Sequence, residues 1–433
     1  MQAMPSSPLA PGQPHTAIVL LWYPLFTQPF IFREIETLSG VAPVEIYTLY
    51  GRNLRHCSSE MKKAGNRGRA YGSRKVLAIC LELMRQGLRH PRRLWRLAKR
   101  SLWRKWPSLE TFGENLWGFC VGVTLGRQFR EDGIDFVYAP WPRGAATAAW
   151  VGASIAGLPF GIAARGDNLE PADPDLNDKL AAAQVIRANN AADQARIEDR
   201  IAKSGLASAK TALIYNSLTL KPESGGARFQ GPELRLLALG RFDVTKGFDV
   251  LLRACALLKQ QGVKFRLTLA GGGGRVMGLG QMDKILRGLR EELRLEAEVD
   301  LPGLVSHDAL PGLLNSHDIF VAPCVIDPSG RRDGIPNTVI EALAFGMPVI
   351  ATDVNALPEI VRNGSTGLTV PQKDPAALAK AIARLKNDPG LAMRLGRNGA
   401  QLAASLFDPD KNASRLAAML KTAHADWKRT CAA

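Results

Sequence analysis

Two short stretches of this sequence have the residue types and spacing that anion chemistry needs. The first is Gly240-Arg241-Phe-Asp-Val-Thr-Lys246-Gly247, which follows the apolar run LRLLAL and opens a helical pattern. Gly240 would let the chain leave a strand sharply. Arg241 offers a planar fork that matches phosphate oxygens, and Lys246 a mobile point charge beside the positive end of a helix. Together they can hold a diphosphate; a solvated Arg and Lys at a helix start would read the same way. The phosphate-loop spacing Gly-x-x-x-x-Gly-Lys-Ser/Thr is missing here.

The second stretch is Asp333-Gly334-Ile335-Pro336-Asn337-Thr338-Val-Ile-Glu341, continuing as Ala-Leu-Ala-Phe-Gly-Met-Pro348. Pro336 suits the first helical position, with Gly334 loosening the loop before it. The first amides of that helix, near Asn337 and Thr338, would be left unpaired and face the cleft as an anion site. Glu341 comes five residues after Pro336, roughly 7–8 Å along the axis. A ribose attached to a bound diphosphate would sit about there, and a carboxylate can accept both its hydroxyls. Asp333 would point to the other end of the ligand. A helix-starting acid and a surface Glu are the alternative.

Strand and helix patterns alternate around both stretches. Thr16–Tyr23, Val44–Leu49, Ile134–Ala139, Phe160–Ala164, Val185–Asn189 and Thr211–Tyr215 read as strands of one sheet. Leu234–Leu239, Phe265–Ala270, Ile319–Ala322 and Pro348–Ala351 read as strands of another. Short apolar strands separated by helices specify parallel sheets covered on both faces. The expected organisation is a disordered tail over 1–15 and a Rossmann-like domain over 16–218. A linker over 219–232 leads to a second Rossmann-like domain over 233–408. Residues 409–433 form a C-terminal helix, for which packing back on the first domain is one place. The default ligand site is the cleft at the carboxyl ends of the strands.

Composition narrows the class. The 433 residues are 46% hydrophobic and 22% charged, which suits globular cores and excludes disordered or coiled-coil classes. The net charge of +16 is concentrated. Residues 52–105 hold 17 Lys/Arg and two acids, Glu60 and Glu82, leaving 39 basic against 38 acidic residues elsewhere. That is a basic patch on a near-neutral globule, not a uniformly basic nucleic-acid binder. Within this helical insert, about 52–110, Pro91 opens a run from Arg92 to Trp106 that has no acid. Trp95, Leu102 and Trp106 recur at helical spacing with Ala98 between them. Arg92, Arg93, Arg96, Arg100 and Arg104 flank that stripe, and Trp103 lies beside it. An interfacial helix on an anionic membrane has this make-up, and so does a helix that packs its tryptophans inward.

Six scattered cysteines without Cys-x-x-Cys spacing suit a reducing cytosol and make neither a disulfide framework nor a metal site. The N-terminus has no signal-peptide pattern, and the uncharged stretch Gly144–Ala164 reads as a buried Ala-rich helix followed by a strand, not a membrane span. Asp173-Pro-Asp175 and Asp408-Pro-Asp410 read as turns. Gly271–Gly274 lacks a dinucleotide fingerprint, and His307 and His317 do not pair as metal ligands.

Taken together, the two anion motifs resemble those of the retaining glycosyltransferases of the two-Rossmann (GT-B) type, family four, also called glycosyl transferases group 1. The likeness continues through Pro302-Gly303, Ala351-Thr-Asp353, Leu357-Pro-Glu359 and Asn363-Gly-Ser-Thr-Gly-Leu-Thr-Val-Pro371. Phe30-Ile-Phe-Arg-Glu-Ile resembles the first helix of the branch that builds bacterial exopolysaccharide, capsule and lipopolysaccharide. The resemblance implies an α/β fold of two doubly wound domains facing across a cleft, a nucleotide-diphosphate sugar as donor, no cofactor and no metal. The acceptor it implies is lipid-linked or a saccharide. It casts Arg241, Lys246 and Asp333 as catalytic, with Gly240, Gly334, Ile335, Pro336, Asn337, Thr338 and Glu341 binding the donor. Asp333 stands where the family has Glu. Pro140 and Arg165 stand where this branch often has His, and Arg165 would neutralise phosphate charge there. A cytoplasmic enzyme, peripheral on the inner face of the plasma membrane, is the expected setting. A non-catalytic sugar-nucleotide binder, or an epimerase or phosphorylase on the same fold, is the rival reading.

Overall fold

The computed structural model describes residues 12–65, 67–72, 75–165, 173–206, 210–222, 228–272 and 280–432. Most of the tail, the middle of the linker, Asp167, Gly273 and Gly274 lie outside the described residues. The chain divides into two compact units. The first is 1–217 with 409–433, and the second is 218–408.

In the first unit the strands are β1 (Thr16–Leu25), β2 (Val44–Asn53), β3 (Gly68–Ala70), β4 (Phe136–Ala139), β5 (Phe160–Ala164), β6 (Val185–Ala188) and β7 (Lys210–Leu213). All pair in parallel, in the order β3-β2-β1-β4-β5-β6-β7. The helices between them are α1 (Pro29–Ser39), α2 (Ser59–Ala64), α3 (Val76–Arg89), α4 (Pro91–Ser101), α5 (Leu109–Glu131), α6 (Gly144–Ala156), α7 (Leu176–Ala182) and α8 (Ala191–Lys203). The Ala-rich stretch is indeed a buried helix, α6, followed by β5. It lies so close to α5 that a Cβ on Gly118 would come within 2.4 Å of the Gly144 carbonyl oxygen. No described helix is long and apolar enough to cross a membrane.

The second unit has β8 (Leu234–Arg241), β9 (Phe265–Gly272), β10 (Val299–Asp300), β11 (Ile319–Ala322), β12 (Val349–Thr352) and β13 (Leu368–Val370), again all parallel, in the order β10-β9-β8-β11-β12-β13. Its helices are α9 (Phe248–Gln260), α10 (Gly280–Glu292), α11 (Leu310–Ser316), α12 (Asn337–Ala344), α13 (Leu357–Ile360), α14 (Pro375–Asn387) and α15 (Pro389–Leu406). Leu236, Ala238, Leu267, Leu269 and Ile350 form the centre of its core. The last helix, α16 (Pro409–Ala432), belongs to the first unit, where Leu416, Ala417 and Leu420 share a core with Ile31 and Ile35 of α1.

Two expectations about the basic region need correction. It adds the edge strand β3 to the sheet, which its Gly-Arg-Ala composition does not announce. The run from Arg92 is helical only to Ser101, because the chain then turns, and Trp103 and Trp106 lie beyond the helix. Leu97 is buried against Phe119, Val123, Val151 and Ile155, with Leu94, Ala98 and Leu102 packed beside it. So the stripe through Ala98 and Leu102 faces inward, while Trp95 and Trp103 are exposed. Arg100 and Arg104 both pair with Asp178, and Arg93 donates to the Ser154 carbonyl. Arg92 and Arg96 remain exposed.

Candidate active site

In the second unit the two sequence motifs converge. Leu239, Lys246, Phe248, Pro323, Pro336 and Thr338 line one small cavity, and the Thr338 hydroxyl donates to the Leu239 carbonyl at 3.3 Å. β8 runs through Gly240 to Arg241, so Gly240 makes no sharp exit from the strand. The Lys246 stem passes beside it, with Cε 3.4 Å from where a Cβ would stand, which is ordinary van der Waals contact. The turn comes at Gly247, which is left-handed (φ 62°) and would put a Cβ 2.0 Å from the Pro323 carbonyl oxygen. Asp243 holds the approach to it by accepting from the Thr245 amide and hydroxyl.

Lys246 is thereby buried, and its Nζ lies 2.9 Å from Asp333 Oδ2. Burial works against the ammonium charge, but the Asp333 carboxylate outweighs it and holds the pKa above the ordinary lysine value. A protonated amine has three donors, and Asp333 is its one ion-pair partner among the described residues. Arg241 is exposed beside this pair in the chain.

Pro336 is the residue before α12 and not its first residue; its ψ of 131° is extended. The Val339 amide makes the first bond back to the Pro336 carbonyl, so the Thr338 amide precedes the intrahelical ladder. Ile335 is buried, whereas Gly334, Asn337 and Thr338 are partly exposed. The Asn355 side-chain amide donates to the Asp333 carbonyl at 2.7 Å and fixes the loop ahead of the helix. Glu341 is no surface residue. It is buried, and the Thr219 hydroxyl donates to its Oε1. Burial pushes the carboxyl up to about 7, against the pull of that hydrogen bond.

Sequence reasoning passed over Arg331. Its guanidinium pairs with Asp327 at 2.9 Å and with Asp243 at 3.5 Å, joining the loop before α12 to the turn after β8. The only signal was its place two residues before Asp333. His317, set aside on sequence, is satisfied in the core by Thr268 Oγ1 and the Leu313 carbonyl.

The first unit places Arg165 just after β5, in a closed network. Its Nε donates to the Pro140 carbonyl at 2.9 Å, one terminal nitrogen to Asn216 Oδ1, and the other to Glu34 Oε2 at 3.0 Å. The guanidinium also lies 5.2 Å from the Phe30 ring and 5.5 Å from the Trp141 ring. Arg187, in the middle of β6, takes the same Glu34 oxygen and the carbonyls of Ile214 and Tyr215. Burial pushes the Arg165 pKa below the usual arginine value, against the pull of Glu34. All three nitrogens of Arg165 therefore have internal acceptors, so its geometry is that of a positioning residue for α1, β5 and the 216 loop. The basic residues Arg92, Arg93 and Arg96 and the indoles of Trp95, Trp103 and Trp106 stand apart from this network, on or after α4. The Asp173–Asp175 turn is buried too, with Asp175 2.9 Å from the Nζ of Lys179. No metal-binding cluster occurs among the described residues.

Two doubly wound parallel units are the architecture of the GT-B fold. The model of the glycosyl transferases group 1 family matches residues 224–402, which lie in the second unit. The chain is 35% identical over 153 residues to the putative colanic acid biosynthesis glycosyltransferase WcaL of Salmonella typhimurium, covering 35% of this chain and 36% of that one. It is 32% identical over 152 residues to the amylovoran biosynthesis glycosyltransferase AmsK of Erwinia amylovora, covering 35% and 36%. The chain thus spans about a third of the length of these curated relatives. Among solved structures, sucrose-phosphate synthase from Thermosynechococcus elongatus superposes with a TM-score of 0.67 at 19% identity, covering 96% of this chain and 100% of that one. Anabaena Alr3699/HepE, in complex with UDP and glucose, gives 0.67 at 16% identity, covering 94% and 99%. At such identities the likeness is one of fold.

Proposed function

We propose that the protein moves a sugar from a nucleotide-diphosphate donor to a lipid-linked or saccharide acceptor during assembly of a bacterial surface polysaccharide. The observation that carries this reading is the pair of buried Lys246 with partly exposed Asp333 beside the start of α12, with Glu341 held on the same helix. Lys246, Arg241 and the first amides of α12 supply positive charge where a departing diphosphate accumulates negative charge, the kind of stabilisation that contributes most to such transfers. Glu341 accepts the ribose hydroxyls, and Asp333 orients the sugar while holding Lys246 charged. In this reading the anomeric configuration is retained by front-face displacement, with the departing phosphate oxygen taking the acceptor's proton. The protein's own cations handle the leaving group, and no metal or cofactor is called for. The names of the relatives support a polysaccharide product, and the UDP-bound structure of the same fold supports a nucleotide donor. A place at the inner face of the membrane follows if the acceptor is lipid-linked.

The test has two stages. A thermal-shift panel of nucleoside diphosphates selects the base, and the matching labelled sugar nucleotide is then incubated with lipid-linked and saccharide acceptors. Label transferred to an acceptor supports the reading. Donor binding without transfer, epimerised donor, or sugar released only with free phosphate would each replace it with one of the rivals.

A further inference from the structure

Helix α3 packs inward through a mixed side, on which Ile79 joins the core and Leu83 is packed against it. Glu82 and Gln86 are buried, Gln86 Nε2 donates to Glu82 Oε1 at 2.8 Å, and Arg127 of α5 lies 3.4 Å from Glu82. The outward side carries Leu77, Leu81, Met84 and Leu88, which are 74%, 54%, 57% and 85% exposed. Spacings of four, three and four residues align them in one stripe about three turns long. Singly exposed leucines are ordinary, but an aligned row of long aliphatic side chains marks a contact surface.

Charge indicates what covers it. α4 packs on the same α5–α6 layer as α3, through Leu97 against Phe119, Val123, Val151 and Ile155. The outward faces of both helices therefore look away from one layer. There α4 and its exit expose Trp95 and Trp103, with ring centroids 5.7 Å apart. Arg89, Arg92, Arg96 and Lys99 are exposed as well, and none has an ion pair among the described residues. A second copy of this chain would bring like charges together. An anionic bilayer instead takes aliphatic and indole groups into its interface while its phosphates meet the cations.

We propose that α3 is a membrane-insertion element. Its Leu77–Leu88 stripe enters the acyl boundary of an anionic bilayer, and the cations around α4 lie at the headgroups. This rests on the membrane-side reading given above, yet its test needs no turnover. The two contributions differ in their response to salt, because ions screen charge and leave apolar burial intact.

Flotation with vesicles of phosphatidylglycerol in phosphatidylcholine, and of phosphatidylcholine alone, separates them. The wild-type chain should float with the anionic vesicles and keep a salt-resistant fraction. Leu81→Glu/Leu88→Glu should lower partitioning at high salt by about tenfold or more, whereas Arg92→Glu/Arg96→Glu should chiefly remove the preference for anionic lipid. Nucleoside diphosphate affinity, measured by calorimetry on the same samples, should match wild type in all of them and certifies the fold. If the leucine pair leaves salt-resistant flotation unchanged, α3 does not insert. If wild type fails to float, or shows a concentration-dependent dimer by sedimentation that the leucine pair abolishes, the face is not a membrane surface. Loss of donor transfer with flotation intact would count against the proposed function and leave this inference standing.

Discussion

The two units each keep a cation against a carboxylate at the carboxyl end of a parallel sheet, and the two pairs are finished differently. In the first unit Glu34 lies between Arg165 and Arg187, and every guanidinium nitrogen has an internal acceptor. In the second, Lys246 meets Asp333, and the ammonium keeps donors beyond that one pair. A closed network fixes the backbone, whereas a pair with spare donors can take a further anion. The same residue types are thus arranged differently in the two units: each guanidinium has an acceptor at every nitrogen, whereas the Lys246 ammonium faces a single carboxylate among the described residues.

The largest effect should come from opening the closed network. Glu34→Ala leaves two buried guanidinium groups without their shared carboxylate, at a cost of about 3–5 kcal/mol in unfolding free energy. Urea denaturation measures this, and a loss under about 1 kcal/mol would mean that the network is not closed after all.

Glu341 sharpens the comparison through pH. Its folded pKa of about 7 is above the usual carboxyl value, so between the two the folded state holds a proton that the unfolded chain has released. Stability should therefore fall as pH rises from the usual carboxyl pKa to about 7 and level off above it, by roughly 3 kcal/mol in all. Glu341→Gln should abolish that slope, and be more stable than wild type at alkaline pH while binding nucleoside diphosphate more weakly. Parallel stability curves for the two proteins would refute the burial argument. Since the proposed ribose contact needs the carboxylate, wild-type affinity should rise with pH through the same range.

Lys246→Ala should weaken nucleoside diphosphate binding by about 1.5–3 kcal/mol, roughly ten- to a hundredfold. Calorimetry that returns wild-type affinity would place the diphosphate elsewhere. Arg241→Ala should cost least, about 1 kcal/mol, because the residue is exposed, and the difference should shrink with added salt. A salt-independent loss larger than that of Lys246→Ala would reverse their order.

The parallel sheets were readable from short apolar strands such as LRLLAL, and the two candidate anion motifs from glycine, proline and charge at fixed offsets. β3 was not, because Gly-Arg-Ala has no apolar pattern and is held only by its pairing with β2. Lys246 and Asp333 were assigned separate duties on the same ligand, and only the fold shows them to be partners. The Glu34–Arg187 pair had a faint signal, one charge inside the strand VIRA and one on the apolar face of α1. Nothing in the sequence says that these two charges meet. For α3 the periodicity gives a stripe without giving its direction, and an apolar stripe is ordinarily read as facing the core. Here Ile79 and Leu83 share the inner side with Glu82 and Gln86, anchored by Arg127, and the row from Leu77 to Leu88 is left outside.

The position of α16 has a consequence in time. Leu416, Ala417 and Leu420 close the core over α1, so the first unit lacks part of its interior until the last two dozen residues have been made. The second unit is complete in sequence at Asp408. On a ribosome working from the N-terminus, the unit begun second can finish folding first, reversing the usual order. Until then Ile31 and Ile35 wait uncovered for residues that leave the tunnel nearly four hundred positions later.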